Sequence, residues 1–318
     1  MEPVESFTIE ALDESDAKRG DALCLLLAAA GTPAQSADRK VRRLASHVER
    51  HSLQLASVLG AFASGRLISA AMLIESPGRL GAAYIPTGRL DAVGRQATVA
   101  LLQSLQTQAW QRSLWLVQAL LDPHQTHSAA VLAEAGFEFL AELCYLERSA
   151  HDPCPSRRGP QGLEFVPYAP RVEPLFVEVL GLTYRQSLDC PRLAGIRPTA
   201  DVLATHRATG IFDPTNWWVA RLDGAPVGIL LLAGVYGRTA FEVVYMGAVP
   251  EARGRGVGDA LLSKAVDLCR RKGKAALTLA VDSVNEPARN LYRRWSLREL
   301  DRRRAWFCRR PRRAPDSR

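Results

Sequence analysis

The run Tyr245-Met246-Gly247-Ala248-Val249-Pro250-Glu251-Ala252-Arg253-Gly254-Arg255-Gly256-Val257-Gly258-Asp259-Ala260-Leu261-Leu262 reads as a strand, a basic glycine turn and a helix. The apolar stretch from Val243 to Val249 is the strand, closed by Pro250. A helix is predicted from Val257 to Lys272, because Val257, Leu261, Leu262, Ala265, Leu268 and Cys269 recur on one face. Gly273 stops it, and Arg270, Arg271 and Lys272 occupy the last turn, where cations suit the helix dipole. Gly254, Gly256 and Gly258 let the main chain reach positive φ and approach a ligand closely. The first-turn N–H groups of a helix are unpaired, and the dipole adds positive potential there. Arg253 and Arg255 add charge. The stretch is a seat for a phosphate or pyrophosphate.

Three phosphate-binding patterns compete for it. A nucleotide P-loop ends in Gly-Lys-Ser/Thr, whereas Gly258 precedes Asp259. A dinucleotide fingerprint is G-x-G-x-x-G, and the spacing here is G-x-G-x-G. The third pattern, Arg-x-x-Gly-x-Gly after a strand, fits Arg253, Gly256 and Gly258. It resembles the acetyl-CoA pyrophosphate loop of the GCN5-related N-acetyltransferase (GNAT) family. After a buried-strand run from Ala275 to Val281, the chain also resembles the family's second signature, Asn-x-x-Ala-x-x-Leu-Tyr, at Asn285, Ala288, Leu291 and Tyr292. Ser296 and Leu297 replace the Gly-Phe that follows in the family. That departure bears on the local turn and not on the chemistry.

The resemblance implies two tandem GNAT-like domains of α+β or α/β class, each a mixed, mostly antiparallel twisted sheet flanked by helices. It implies direct acetyl transfer from acetyl-CoA, as co-substrate, to an amine. The pantetheine arm would lie along the strand edge at Met246, Gly247, Ala248 and Val249, like an added strand. The pyrophosphate would sit on Arg253, Gly254, Arg255, Gly256, Val257, Gly258 and Asp259, with Asn285 and Arg289 nearby. An N–H near Met246 or Gly247 would face the oxyanion. Glu242, eight residues before Pro250, stands where some family members carry a catalytic glutamate and would serve as base. A one-residue bulge would decide which face it uses. Tyr292 would protonate the leaving thiolate. The loop from Tyr184 to Pro198 would line the acceptor site, with Tyr184 and Asp189 for an amine and Arg197 for an anionic group. Cys190 has no assignable histidine partner, so a thiol nucleophile is disfavoured.

Laying the second half on the first at an offset of 160 superposes Gly94-Arg95 on Gly254-Arg255, Ala100-Leu101-Leu102 on Ala260-Leu261-Leu262, Asp122 on Asp282, and Leu132–Phe137 on Tyr292–Leu297. This is an internal duplication. The first copy has Gln96 and Thr98 in place of Gly256 and Gly258, and Leu132 in place of Tyr292. It is expected to keep the fold without catalysing. This layout, a worn copy before a working one, resembles that of the mycothiol synthases. The expected organisation is a degenerate domain over 1–149, a Pro/Gly-rich linker over 150–162, a catalytic domain over 163–310 and a basic tail over 311–318. Within the first copy, Ser6–Ala11, Val58–Ala63, Leu67–Ile74 and Leu114–Leu121 read as strands, and Ala17–Ala30, Asp38–Val58 and Gln96–Gln111 as helices. In the second, Leu163–Val166, Trp217–Leu222 and Pro226–Ala233 read as strands, and Glu173–Tyr184 and Thr199–Arg207 as helices.

Composition bounds the remaining function classes. The 318 residues are 47% hydrophobic, an ordinary globular proportion, with no run long enough to span a membrane. The acidic start Met1-Glu2-Pro3-Val4-Glu5 is unlike a signal peptide. The six scattered cysteines form no Cys-x-x-Cys pair, and a reduced, cytoplasmic setting is expected. The eleven arginines from Arg293 onward, against Glu299, Asp301 and Asp316, carry the whole net charge of +8. Without an aromatic ladder they read as a solvated end rather than a nucleic-acid surface. His47 and His51 lack a third ligand nearby, so no metal is expected. The expected partner is a small-molecule amine acceptor, without membrane or nucleic acid, the chain acting as a monomer or homodimer. The competing reading is a non-catalytic acyl-CoA-binding or nucleic-acid-associated module that uses the arginine-rich end.

Overall fold

The computed structural model describes residues 6–27, 53–156 and 159–311. The first repeat holds β1 (Thr8–Ala11), α1 (Ala17–Leu27), β2 (Gln54–Ala63), β3 (Arg66–Ser76), β4 (Leu80–Tyr84), α2 (Ala92–Gln111), β5 (Leu116–Leu121), α3 (Thr126–Glu134) and β6 (Glu138–Ser149). The second holds β7 (Leu163–Pro167), α4 (Glu173–Tyr184), α5 (Thr199–Ala208), β8 (Trp217–Leu222), β9 (Ala225–Gly234), β10 (Ala240–Ala248), α6 (Val257–Arg271), β11 (Ala276–Asp282), α7 (Glu286–Arg294) and β12 (Arg298–Arg309). From β4 onward the duplication keeps its register. The parallel pair β4–β5 opens at Leu80 opposite Leu116, and β10–β11 at Ala240 opposite Ala276, 160 residues on. Helices α3 and α7, and strands β6 and β12, begin and end at the same offset.

The compact units do not follow the boundaries expected from sequence. One unit comprises the chain up to Leu140 together with the stretch from Arg304 onward; the other is Ala141–Arg303. The cause is strand pairing. β6 closes the first repeat but pairs antiparallel with β11, Cys144 opposite Val281. β12 closes the second but pairs with β5, Arg304 opposite Leu121. Each repeat therefore ends in a strand that completes the other unit's sheet. The linker is also anchored: Ala150 N–H donates to the Ala275 carbonyl at 2.8 Å, and Arg270 Nε donates to the Ala150 carbonyl at 2.8 Å.

Two further expectations change. Residues 54–58 belong to β2, not to a helix, because Val58 pairs with Met72 of β3 and is buried. The rest of that expected helix, with His47 and His51, lies outside the described residues. The arginine-rich end is largely strand: Arg309 pairs with Leu116, and Arg310 N–H donates to the Trp115 carbonyl at 2.9 Å. Arg302 pairs with Glu142 and Glu299, and Arg303 with Asp301. Among the described residues no helix is long and apolar enough to cross a membrane.

In the second unit one face of the sheet packs on α6 through Phe241, Val243, Leu277, Leu279 and Val281. Part of the other face packs on α4 and α5 through Trp217, Val219, Ile229, Leu231, Phe176 and Leu203.

Candidate active site

The site forms where β10 and β11 part. The two strands pair in parallel from Ala240–Ala276 to Val243–Leu279. A bulge then intervenes, as pairing with β9 steps from Val243–Leu232 to Tyr245–Leu231. A bulge bends the strand and re-aims its side chains. Before it, Phe241 and Val243 join the core under α6, so Glu242 faces the opposite side. After it, Tyr245 packs on the α4 side while Met246 and Ala248 turn toward α6. A cavity of about 410 Å³ fills the divergence.

Of the residues predicted from sequence, Met246, Gly247, Ala248, Arg253, Gly254, Gly258, Asn285, Tyr292 and Asp189 line this cavity. Val249, Arg255, Gly256, Val257, Asp259, Arg289, Glu242, Tyr184 and Arg197 lie outside its lining.

The three glycines of the turn have two causes. Gly254 and Gly256 hold φ of 75° and 84°, a region that costs a side-chained residue roughly 1–2 kcal/mol. At Gly258 a Cβ would meet Leu291 Cδ2 at 2.8 Å, so this glycine admits α7. The first bond inside α6 runs from Ala260 N–H to the Gly256 carbonyl at 3.1 Å. The N–H groups before it have no partner within the helix.

The charged side chains of Arg253, Asp259 and Arg289 make bonds within the protein. The Arg253 guanidinium donates to the carbonyls of Ala248 (3.2 Å), Gln186 (2.8 Å), Thr183 (3.1 Å) and Arg185 (2.7 Å). Asp259 is 4% exposed. Its carboxylate accepts from the Trp295 indole at 2.9 Å and from Arg294 at 3.4 Å. Arg289 donates to Glu286 at 2.6 Å and to the Ser283 carbonyl at 3.0 Å. For Asp259 the main-chain N–H, not the side chain, is what the helix end offers a ligand.

Tyr292 is buried, and burial followed by the Asp189 carboxylate and the Tyr245 phenol raises its pKa, so it keeps its proton. Asn285 caps α7, accepting from Ala288 N–H at 3.4 Å. The loop after α4 is fastened reciprocally: Asp282 N–H donates to Asp189 Oδ1 at 2.9 Å, and Cys190 N–H donates to Asp282 Oδ2 at 3.2 Å. Burial raises the Asp189 carboxyl. Behind the cavity, Tyr184 Oη lies 3.3 Å from His206 Nε2, and Arg197 donates to Thr205 Oγ1 at 2.7 Å. Burial and the neighbouring Arg197 lower the His206 imidazole to about 3. Thr183 and Tyr245, not singled out in the sequence, bond hydroxyl to hydroxyl at 3.0 Å and also line the cavity. Tyr245 stood within the deciding stretch, but the bulge that aims it has no sequence signal. Among the described residues no group of three His, Cys, Asp or Glu is placed to hold a metal ion.

The equivalent turn of the first unit closes on itself. Asp91 caps α2, its carboxylate accepting from Gly94 N–H at 2.8 Å. Thr98, at the position of Gly258, donates to the Gly94 carbonyl at 2.7 Å and meets Ser69 Oγ at 2.6 Å. At the shared offset α2 begins five residues earlier than α6, so the positions equivalent to Val257, Gly258 and Asp259 lie inside a helix and their N–H groups are held within it.

Where a splayed parallel strand pair, a glycine turn feeding a helix and a tyrosine on the following helix come together, residues 185–296 match the sequence model of the Acetyltransferase (GNAT) family. Its relatives are more particular. The chain is 30% identical over 220 residues to a mycothiol acetyltransferase of Frankia alni, covering 65% of this chain and 63% of that protein, less than two thirds of its length. Among solved structures it matches a GCN5-related N-acetyltransferase from Sphaerobacter thermophilus at a TM-score of 0.61, with 20% identity over 96% of both chains. It also matches a tandem GNAT protein from the clavulanic acid biosynthesis pathway at 0.54, with 15% identity over 96% of this chain and 98% of that one. At those identities the structures share the fold, a tandem GNAT architecture of mixed sheets flanked by helices.

Proposed function

We propose that the protein is an N-acetyltransferase whose second unit moves an acetyl group from acetyl-CoA to a primary amine of a small molecule by direct transfer. The observation that carries this reading is that one cavity joins the glycine turn, the unpaired edge of β10 and the Tyr292 hydroxyl. The first-turn N–H groups of α6 fit a diphosphate. The edge of β10 beyond Val243 fits a pantetheine arm as an added strand. Acetyl-CoA supplies the thioester. The mycothiol acetyltransferase relative supports a small-molecule acceptor.

An alkyl ammonium has a pKa of about 10 and must lose a proton before it attacks. Glu242 takes that proton through water, since its carboxylate lies outside the cavity lining, and passes it to solvent. The amine nitrogen then bonds the carbonyl carbon and the C–S bond breaks. Tyr292 donates its proton to the departing sulfur. The second N–H proton, shed as the amide forms, returns through water to Tyr292. Amide and free CoA thiol are the products. In the first unit α2 runs through the corresponding turn and keeps those N–H groups within the helix, which supports a non-catalytic role for that turn.

Replacing Tyr292 by Phe tests the mechanism. Turnover is expected to fall by roughly 10²-fold or more, the usual contribution of a positioned acid, with acetyl-CoA affinity unchanged. Undiminished turnover rejects the acid role. Failure of the unaltered protein to acetylate any primary amine rejects the activity.

A further inference from the structure

Strand β6 ends the first repeat in sequence yet belongs to the sheet of the second unit. Its Cys144 and Leu146 pack into the core under α6, so Tyr145 and Glu147 face the other side. Register places Tyr145 opposite Ala280 and Glu147 opposite Thr278. Thr278 in turn lies opposite Glu242 of β10. Glu242, Thr278, Ala280 and Tyr145 therefore share one sheet face. Ala280 is exposed on that face and lines the cavity that Tyr292 lines. Glu147 is engaged by Arg238 at 2.6 Å. Tyr145 is half-buried, and burial first, then the Glu242 charge, raise its pKa, so its hydroxyl is retained close to that carboxylate.

We infer that Tyr145 is an acceptor-positioning residue of the second unit. Its phenol holds a small, polar primary amine over the small side chain of Ala280, and the Glu242 carboxylate reaches the nitrogen of that amine through water. The inference rests on the transferase reading above. It gives the first repeat a part in the second unit's reaction, played through an exchanged strand rather than through its own closed turn.

The test uses the full chain, acetyl-CoA and a library of primary amines that includes glucosamine, spermidine, tyramine and lysine, with the acetylated product read by mass. For the amines turned over, Tyr145→Phe is expected to raise the acceptor KM about five-fold, the scale of one neutral hydrogen bond. Turnover stays within about two-fold and the acetyl-CoA KM is unchanged, a split that a merely structural role would not produce. Should the Phe variant misfold, Tyr145→Met, which keeps an apolar side chain of similar reach without the hydroxyl, is expected to give the same split. An unchanged acceptor KM, or parallel changes in both KM values, overturns the inference and leaves the transferase reading standing. Absence of transfer by the unaltered protein overturns both.

Discussion

Arg253 acts first on the main chain. Its four main-chain contacts gather the end of α4, the start of the loop after it and the end of β10 around one guanidinium. A planar fork of five donors can do this, where lysine could not. Glu242 is the opposite case, a carboxyl that burial raises above its usual range. Its sign is definite. The folded state holds that proton at pH values where the unfolded chain has released it, so stability falls as pH rises from the ordinary glutamate pKa through the raised one. Glu242→Gln is therefore expected to melt above the unaltered protein at pH 7. The gap should close below about pH 4, where both side chains are neutral. An equal or lower melting temperature at pH 7 contradicts the burial of that charge. In the acetylation assay the same variant should lose the acidic limb of the rate profile, because only the ionised carboxylate accepts a proton.

At the scale of elements, the end of α7 departs from the family signature in sequence and keeps its geometry. Ser296 adopts φ of 59°, and Leu297 N–H returns to the Tyr292 carbonyl at 3.0 Å. The first repeat makes the same turn with Gly136 at φ of 86° and Phe137 N–H on the Leu132 carbonyl at 2.9 Å. Serine bears a left-handed cost that glycine does not. Ser296→Gly should stabilise the protein by about 0.5–1 kcal/mol, after allowing for the freer unfolded chain. The check is a higher denaturant midpoint at unchanged m-value; an unchanged or lower midpoint shows the turn to be unstrained. Elements with strong local signals were legible: the amphipathic face of α6, the run of β8 and β9 around Asp223-Gly224, and the glycine turn. Strand β12 was not, because Arg302, Arg303 and Arg304 broke any apolar alternation and their stabilisation comes from partners distant in sequence. The bulge at Val244 was equally unreadable, and it alone sets Glu242 and Tyr245 on one face.

Across the whole molecule, the duplication could be read from the sequence, while the exchange of last strands could not. An offset between repeats says that β6 and β12 are equivalent; it does not say which sheet each one joins. The first repeat supplies β6 to the second unit's sheet, while its own turn is taken up by α2. This sets the expected stoichiometry: two GNAT folds, one open diphosphate seat. Calorimetric titration of the full chain with acetyl-CoA tests that claim most directly. One site per chain is predicted, weakened about five- to thirty-fold by Gly256→Ala, because a turn that relaxes out of the left-handed region must be restored on binding at roughly 1–2 kcal/mol. Two sites, no site, or a Gly256→Ala protein that binds as tightly as the original would contradict it.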